Sequence, residues 1–218
     1  ELSTRPEKFM GEKEDWDNAE KILENVLKKS KARYKINKGD GAFYGPKIDL
    51  HIKDSLGRNW QMATIQLDMQ MSQRFQLKYI DSENKEKTPV IIHRAIFGSL
   101  ERFIGILLEH TNGALPTWLC PAQARVINFT DRNNKYAEKI LNELKENNIR
   151  ADSDFASVPL GGKIRDAEVQ KIPYIIVVGD KEEKERTIAV RKRGDKKIQN
   201  TGIEKFINSL NEEIKQRK

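Results

Sequence analysis

LPTWLCPAQ, with Pro116 and Pro121 framing Trp118, separates two halves of the chain that carry different hydrophobic rhythms. Proline fixes φ and removes a backbone donor, so a pair of them in six residues reads as a boundary or linker. Upstream, Trp16, Ala19, Ile22, Leu23, Val26 and Leu27 recur at three and four, the spacing of an amphipathic helix over 14–29. KIDLHIK then alternates apolar and polar residues, DSLGR supplies turn chemistry, and NWQMATIQLDMQ returns as a second strand, which predicts a long antiparallel hairpin. DSENKEKT, 81–88, reads as a charged loop, and PVIIHRAIF as a third strand running into a helix over 98–109.

Downstream, ARVINFT, RADSDF, YIIVVG and TIAVRKRG read as strands, and YAEKILNELKENN, KIRDAEVQKI and IEKFINSLNEEIK as helices. Strands alternating with helices imply a mostly parallel sheet with helices packed on it. The expected organisation is an α+β domain built on an antiparallel sheet over residues 1–118, followed by an α/β domain over 119–218.

At 218 residues the chain can bury a core in each of two domains. No apolar run approaches the roughly 18 residues of a membrane span, and no basic-then-apolar leader opens the chain, so neither a membrane partner nor secretion is expected. The single Cys120 cannot form an internal disulfide, which fits a reducing compartment and makes the cytoplasm the expected location. Net charge is +7, and residues 124–218 carry 21 Lys or Arg against 16 Asp or Glu, so most of the basic excess is C-terminal. Either a nucleic-acid partner or an ordinary solvated surface accounts for it.

PVIIHRAIFGSLERFIG, 89–105, holds the densest chemistry. On a helix, Leu100, Phe103, Ile104, Leu107 and Leu108 share a face and Arg102 lies opposite, beside Gly98 and Gly105. A guanidinium without large neighbours can stack on a flat ligand; the alternative is a solvated face in which the glycines are merely tolerated.

GSLERFIG after a strand ending in HRA resembles the third signature motif of class II aminoacyl-tRNA synthetases. FYGPKIDLHIKDSLGRNWQMATIQLD, the segment through TWLCP, the opening LSTRPEKFMG and the closing KIR, IPYIIVVGDKE and IAVRKRG are, in order, similar to the threonyl-tRNA synthetase family along the whole chain. The resemblance implies threonine–tRNA ligase chemistry with threonine, ATP with Mg2+, and tRNA for threonine as partners. It implies that Arg102 stacks on adenine and that the glycines make room for it. Tyr44, Lys47, Gln66 and Ser99 match positions of the threonine and adenylate pocket, with Lys47 and Arg102 in the catalytic set, and Gln61 and Thr64 are similar to positions near ATP.

Gln61 and Gln66 have opposite parity on a strand, so both face one pocket only if a bulge or bend intervenes. His93 matches one of three zinc ligands of a site that tests for the threonine hydroxyl; read alone, a histidine in a strand is a satisfied structural residue rather than a ligand.

The second half resembles an anticodon-binding domain. Glu182, Arg191 and Arg165 match RNA-facing positions there, and Lys192, Arg193, Lys196 and Lys197 either contact phosphates or form a solvated run. SVPLGG, 157–162, departs from the family's usual polar stretch, which puts a base contact from residue 158 in doubt. The family's first and second motifs, the remaining zinc ligands and the editing domain are not found, so the chain reads as a C-terminal fragment of a homodimeric parent, inactive by itself. The alternative is a catalytically incompetent RNA-binding fragment or paralogue.

Overall fold

The structure, a computed structural model, describes residues 1–195 and 197–218. Contacts divide it into Glu1–His110 and Thr111–Lys218. Residues 111–118 fall in the second unit, where the Leu115 carbonyl accepts from Arg193 and the Thr117 hydroxyl donates to Glu213.

The first unit is a sheet ordered β2-β1-β3-β4-β7, formed by β1 (Leu2–Ser3), β2 (Ile36–Asn37), β3 (Lys47–Lys53), β4 (Asn59–Asp68) and β7 (Ile91–Ala95). Every pairing is antiparallel except β1 with β2. The β3–β4 turn is organised by Asp54, whose carboxylate accepts from the backbone N–H groups of Leu56 and Arg58 and from the Trp60 indole. Burial pushes that carboxyl up, but hydrogen bonds from Trp60 and Arg58 outweigh it and hold the group at about 2.

Helix α1 (Lys13–Lys29) covers one face with Trp16, Ala19, Leu23 and Leu27. Ile22 and Val26, from the same sequence stripe, are exposed. Leu23 and Leu27 join Leu2 and Ile48 in a small core flanked by Tyr34, Ile65 and Leu67.

Three details depart from the sequence expectation. The run NWQMATIQLDMQ ends as strand at Asp68, whose carboxylate caps the short helix α2 (Gln70–Arg74) by accepting from the N–H groups of Gln70 and Met71. The charged segment 81–88 belongs to a small hairpin, β5 (Tyr79–Ile80) with β6 (Glu86–Lys87). Helix α3 (Leu100–Thr111) begins two residues later than its periodicity suggests, because Gly98 is left-handed at φ +69° and Ser99 caps the first turn, its hydroxyl accepting from Arg102 N–H. The apolar face of α3 is also split: Phe103 and Leu107 are half-buried together with Ile106, whereas Leu100, Ile104 and Leu108 are exposed.

The second unit is a sheet ordered β12-β11-β10-β8-β9, from β8 (Ala124–Asn128), β9 (Ala151–Asp154), β10 (Tyr174–Val178), β11 (Ile188–Lys192) and β12 (Ile198–Thr201). β8 pairs in parallel with β9 and β10. The parallel part ends there: β11 and β12 add as an antiparallel ribbon. The helices are α4 (Asn134–Glu146), α5 (Leu160–Val169), α6 (Asp180–Glu185) and α7 (Ile203–Lys215). Ile140 and Leu144 of α4 and Phe206, Ile207 and Leu210 of α7 pack with Val126, Ile176 and Val190 in the main core. Strands buried on both faces read as unbroken apolar runs, which is why YIIVVG identified β10.

Candidate functional site

Register gathers the first-half candidates onto one sheet face. Lys47 of β3 lies opposite Gln66 of β4, which lies opposite His93 of β7; the next row is Asp49, Thr64 and Ala95. Directly paired residues point to the same side, so Lys47, Asp49, Thr64, Gln66 and His93 form one polar surface. Gln61 has the wrong parity for it, but the ladder slips where Leu50 pairs with Ala63 and His51 with Gln61. Met62 is the extra residue. This bulge restores Gln61 to the face, where its amide Nε2 donates to Asp49 at 2.6 Å and to the Thr64 hydroxyl at 2.8 Å.

Asp49, which the sequence reading left out, is the centre of the cluster. It is 1% exposed and accepts from Gln61, from Thr64 at 2.7 Å and from Ser3 at 3.3 Å, while the Lys47 ammonium lies 2.9 Å away. Burial pushes the Asp49 carboxyl up; the hydrogen bonds from Lys47, Thr64 and Ser3 outweigh that and leave it below its ordinary value. Burial likewise pulls Lys47 down, and Asp49 and Asp40 more than compensate, so the ammonium is held above its ordinary value and stays charged. The alternating KIDLHIK pattern marked position 49 as polar but carried no sign that it was buried.

The other end of the face opens into a cavity of about 280 Å3 lined by Tyr44, His93, Asp68, Gln70, Phe43 and Met71, among others. The Tyr44 hydroxyl donates to Gln66 Oε1 at 2.9 Å, and the Tyr44 and His93 rings meet edge to face at 5.9 Å. His93 Nε2 is 2.8 Å from Asp68, another buried carboxylate missed in the sequence. Burial raises Asp68, and the contacts with His93 and the α2 amides outweigh it, leaving it below its ordinary value. Tyr44 is placed by the turn FYGP. Gly45 presses on β4 so closely that a Cβ there would stand 1.7 Å from the Leu67 carbonyl oxygen, which explains the glycine.

Arg102 is held differently from the simple helix picture. Its Nη1 donates to the Gln61 carbonyl at 2.8 Å, and its guanidinium carbon sits 5.6 Å from the Trp60 ring centroid. Gly98 is not a clearance for a ligand: its φ is +69°, and a Cβ would lie 3.1 Å from the Met62 carbonyl. The corrected reason for that glycine is backbone conformation and contact with the bulge. Gly105 does face open space, with nothing within 4 Å of a Cβ. Ser99 is exposed and is the cap of α3.

In the second unit, Arg165 is exposed on α5, one turn before Glu168, and Arg191 of β11 has Nη2 3.0 Å from Glu168 Oε1. Glu182 caps α6, accepting from Gly179 N–H at 3.0 Å. Two members of the basic run serve the fold: Arg193 donates to the carbonyls of Lys171 and Leu115, and the Lys192 ammonium donates to Glu213. Lys197 is exposed; Lys196 lies outside the described residues. The segment SVPLGG becomes the start of α5, with Pro159 at its N-cap and Val158 exposed.

Among the described residues no helix is long and apolar enough to cross a membrane, and no three His, Cys, Asp or Glu side chains are grouped to hold a metal ion.

Residues 6–111 match the family described as tRNA synthetase class II core domain (G, H, P, S and T), and residues 123–213 match the anticodon binding domain. Threonine–tRNA ligase of Clostridium tetani is 51% identical over 217 residues, all of this chain and 34% of its own. The enzyme of Clostridium kluyveri is 52% identical over 214 residues, 98% of this chain and 34% of its own. The crystal structure of the RNA binding domain of threonyl-tRNA synthetase from Cryptosporidium parvum superposes with a TM-score of 0.89 at 38% identity, covering 97% of this chain and 54% of that one. With near-complete coverage from its side and about a third of the length of these curated relatives, the chain belongs to the threonine–tRNA ligase family, in which it corresponds to class II core and anticodon-binding parts.

Proposed function

We propose that the polar face of the first unit binds threonine and ATP for the activation step of threonine–tRNA ligation, and that the second unit binds the anticodon of tRNA for threonine. The observation that carries the first part is the Lys47, Gln66, His93 row, with Tyr44 hydrogen-bonded to Gln66 at its edge. In activation, the threonine carboxylate attacks the α-phosphorus of ATP and pyrophosphate leaves. Negative charge grows on the phosphate oxygens, so a fixed cation and fixed donors aimed at them lower the barrier.

Lys47, kept cationic by Asp49 and Asp40, is suited to that charge. Tyr44 and Gln66 offer a hydroxyl and an amide to the amino acid. Gln61 and Thr64, tied together through Asp49, present a rigid edge on the ATP side, with Ser99 at the start of the α3 helix that carries Arg102. Arg102, fixed to the Gln61 carbonyl, offers its guanidinium plane to adenine; ATP enters with Mg2+ as a substrate complex.

His93 is chemically suited to ligate zinc. One imidazole, even with the Asp68 carboxylate 2.8 Å away, does not make a three- or four-ligand site, and no group of three such side chains occurs among the described residues, so no metal-dependent step follows. For the anticodon, Arg191, Arg165 and Glu182 supply donors and an acceptor for base edges. The cytoplasm and a homodimeric whole protein belong to the same reading.

The test uses a whole ligase carrying these residues. Arg102→Ala should lower threonine-dependent ATP–pyrophosphate exchange by about 10²-fold or more, the scale of one lost stabilising group, and leave tRNA affinity unchanged. Comparable exchange in variant and parent overturns the reading. Residues 1–218 alone should show no exchange; if they also fail to bind tRNA, the anticodon assignment fails with it.

A further inference from the structure

We infer that Glu168 is a specificity-determining residue: its carboxylate, held against Arg191, admits an uncharged base edge to that guanidinium and turns away a backbone phosphate. The inference rests on the anticodon reading of Arg191 and names the group that makes that contact selective.

Arg191, Lys192 and Arg193 run consecutively from the end of β11, and the fold consumes two of them. Arg193 is bound by two backbone carbonyls. Lys192 is 2.7 Å from Glu213 and 5.2 Å from the Tyr174 ring centroid. Arg191 is the exception, since its partner is solvated: side-chain exposure is 36% for Arg191 and 48% for Glu168. Such a pair contributes little to stability and can be opened or shared by a ligand. The two residues also line one cavity of about 290 Å3, large enough for a heterocyclic base.

A lone arginine there would take a phosphate as readily as a base, because RNA offers a phosphate at every nucleotide. Glu168 changes that preference. A phosphate at Arg191 would lie a few ångström from a like charge, whereas a base edge is neutral and can accept from the guanidinium while donating to the carboxylate. The closest approach within the pair is made by a terminal nitrogen, Nη2, 3.0 Å from Glu168 Oε1. Glu168 is placed by α5 itself, three residues after Arg165 and therefore on the same side of the helix.

The experiment measures binding of residues 1–218 to two anticodon stem-loops, one of threonine-accepting tRNA and one with altered anticodon bases, across a salt series. Glu168→Gln and Glu168→Ala should each tighten binding of the altered loop about 3- to 10-fold, tighten the cognate loop less, and steepen the salt dependence by about 0.7 in logarithmic slope, the value for one added single-strand phosphate contact. A purely structural role would not move that slope. Unchanged discrimination and slope in both Glu168 variants, with Arg191→Ala abolishing discrimination, overturns the inference and leaves the anticodon reading standing. Equal weakening of both loops by Glu168→Gln also overturns it, since Glu168 would then only orient Arg191. Discrimination that survives Arg191→Ala overturns the anticodon reading and the inference together.

Discussion

Replacing Asp49 by alanine should be the most damaging single polar substitution in the first unit. The carboxylate is 1% exposed and faces donors from Ser3, Gln61, Thr64 and Lys47. Removing one partner of a buried pair costs about 3–5 kcal/mol, because the surviving charge and donors are left desolvated. Lys47 retains Asp40 at 3.5 Å and is 16% exposed, which places Asp49→Ala near the lower end, about 3 kcal/mol. Asp49→Asn keeps the shape and one acceptor oxygen but loses the charge, so about 1.5–3 kcal/mol is expected. The double variant Lys47→Met, Asp49→Leu removes both charges and should be less damaged than Asp49→Ala alone, with a coupling energy of at least about 1 kcal/mol. Urea unfolding followed by tryptophan fluorescence in a Trp118→Phe background resolves the first unit through Trp16 and Trp60. Asp49→Ala within about 1 kcal/mol of the parent, or strict additivity in the cycle, would refute the claim that this carboxylate organises the face.

Asp49 and Asp68 both sit below their ordinary values in the folded state, so each stabilises the fold fully above the ordinary carboxylate value of about 4 and loses that contribution as pH falls through the lower folded value. Acid titration of the first unit should show stability falling below about pH 4, and Asp49→Asn should flatten the curve. Gly45→Ala should destabilise the first unit by at least about 1–3 kcal/mol, since the new methyl meets a backbone oxygen that cannot rotate away; a variant that melts like the parent contradicts the contact. Glu213→Gln should cost the second unit about 1–3 kcal/mol, measured by thermal unfolding, because Glu213 joins Thr117, Tyr174 and Lys192 and is held below its ordinary value against burial by hydrogen bonds from those groups.

Local pattern carried most of the architecture, and it failed where tertiary contacts decide. IEKFINSLNEEIK coincides with α7 because its apolar stripe is continuous and glycine precedes it. The stripe of α1 was visible but too wide: Ile22 and Val26 fit the helical period and yet face solvent, as period alone does not tell how much of a stripe a small core can cover. Five strands escaped notice: β1, β2, β5 and β6 because two residues are too few to show a period, and β12 because Ile198 is its one apolar residue. The antiparallel direction of β11 was also illegible. A strand sequence does not state its partner, and β11 follows β10 through the six-residue α6 rather than a full crossover helix.

Among the candidate residues, the family resemblance singled out Tyr44, Gln66 and His93, whose side chains do meet. The sequence reading overlooked Asp49 and Asp68, because a single aspartate in an alternating strand looks like a solvated residue until the sheet covers it. It read Arg193 as either a phosphate contact or part of a solvated run, because the carbonyls that bind it lie 22 and 78 residues away in sequence.

The bulge at Met62 connects these failures to the one condition the sequence did state. Two glutamines five apart in a strand cannot share a face without an inserted residue, and the insertion falls between them. Its consequences reach past Gln61. β4 pairs with β7 only from Thr64 onward, so the Gln61 carbonyl lies outside that ladder and accepts from Arg102 instead. Its neighbour, the Met62 carbonyl, lies where only a glycine at 98 fits easily. One extra residue thus sets the direction of a glutamine amide, the anchor of an arginine and the identity of a glycine. These three act as a unit, so deleting Met62 should displace Gln61 from Asp49 and release Arg102 together, whereas Gln61→Ala should leave the Arg102 contact, made to backbone, in place.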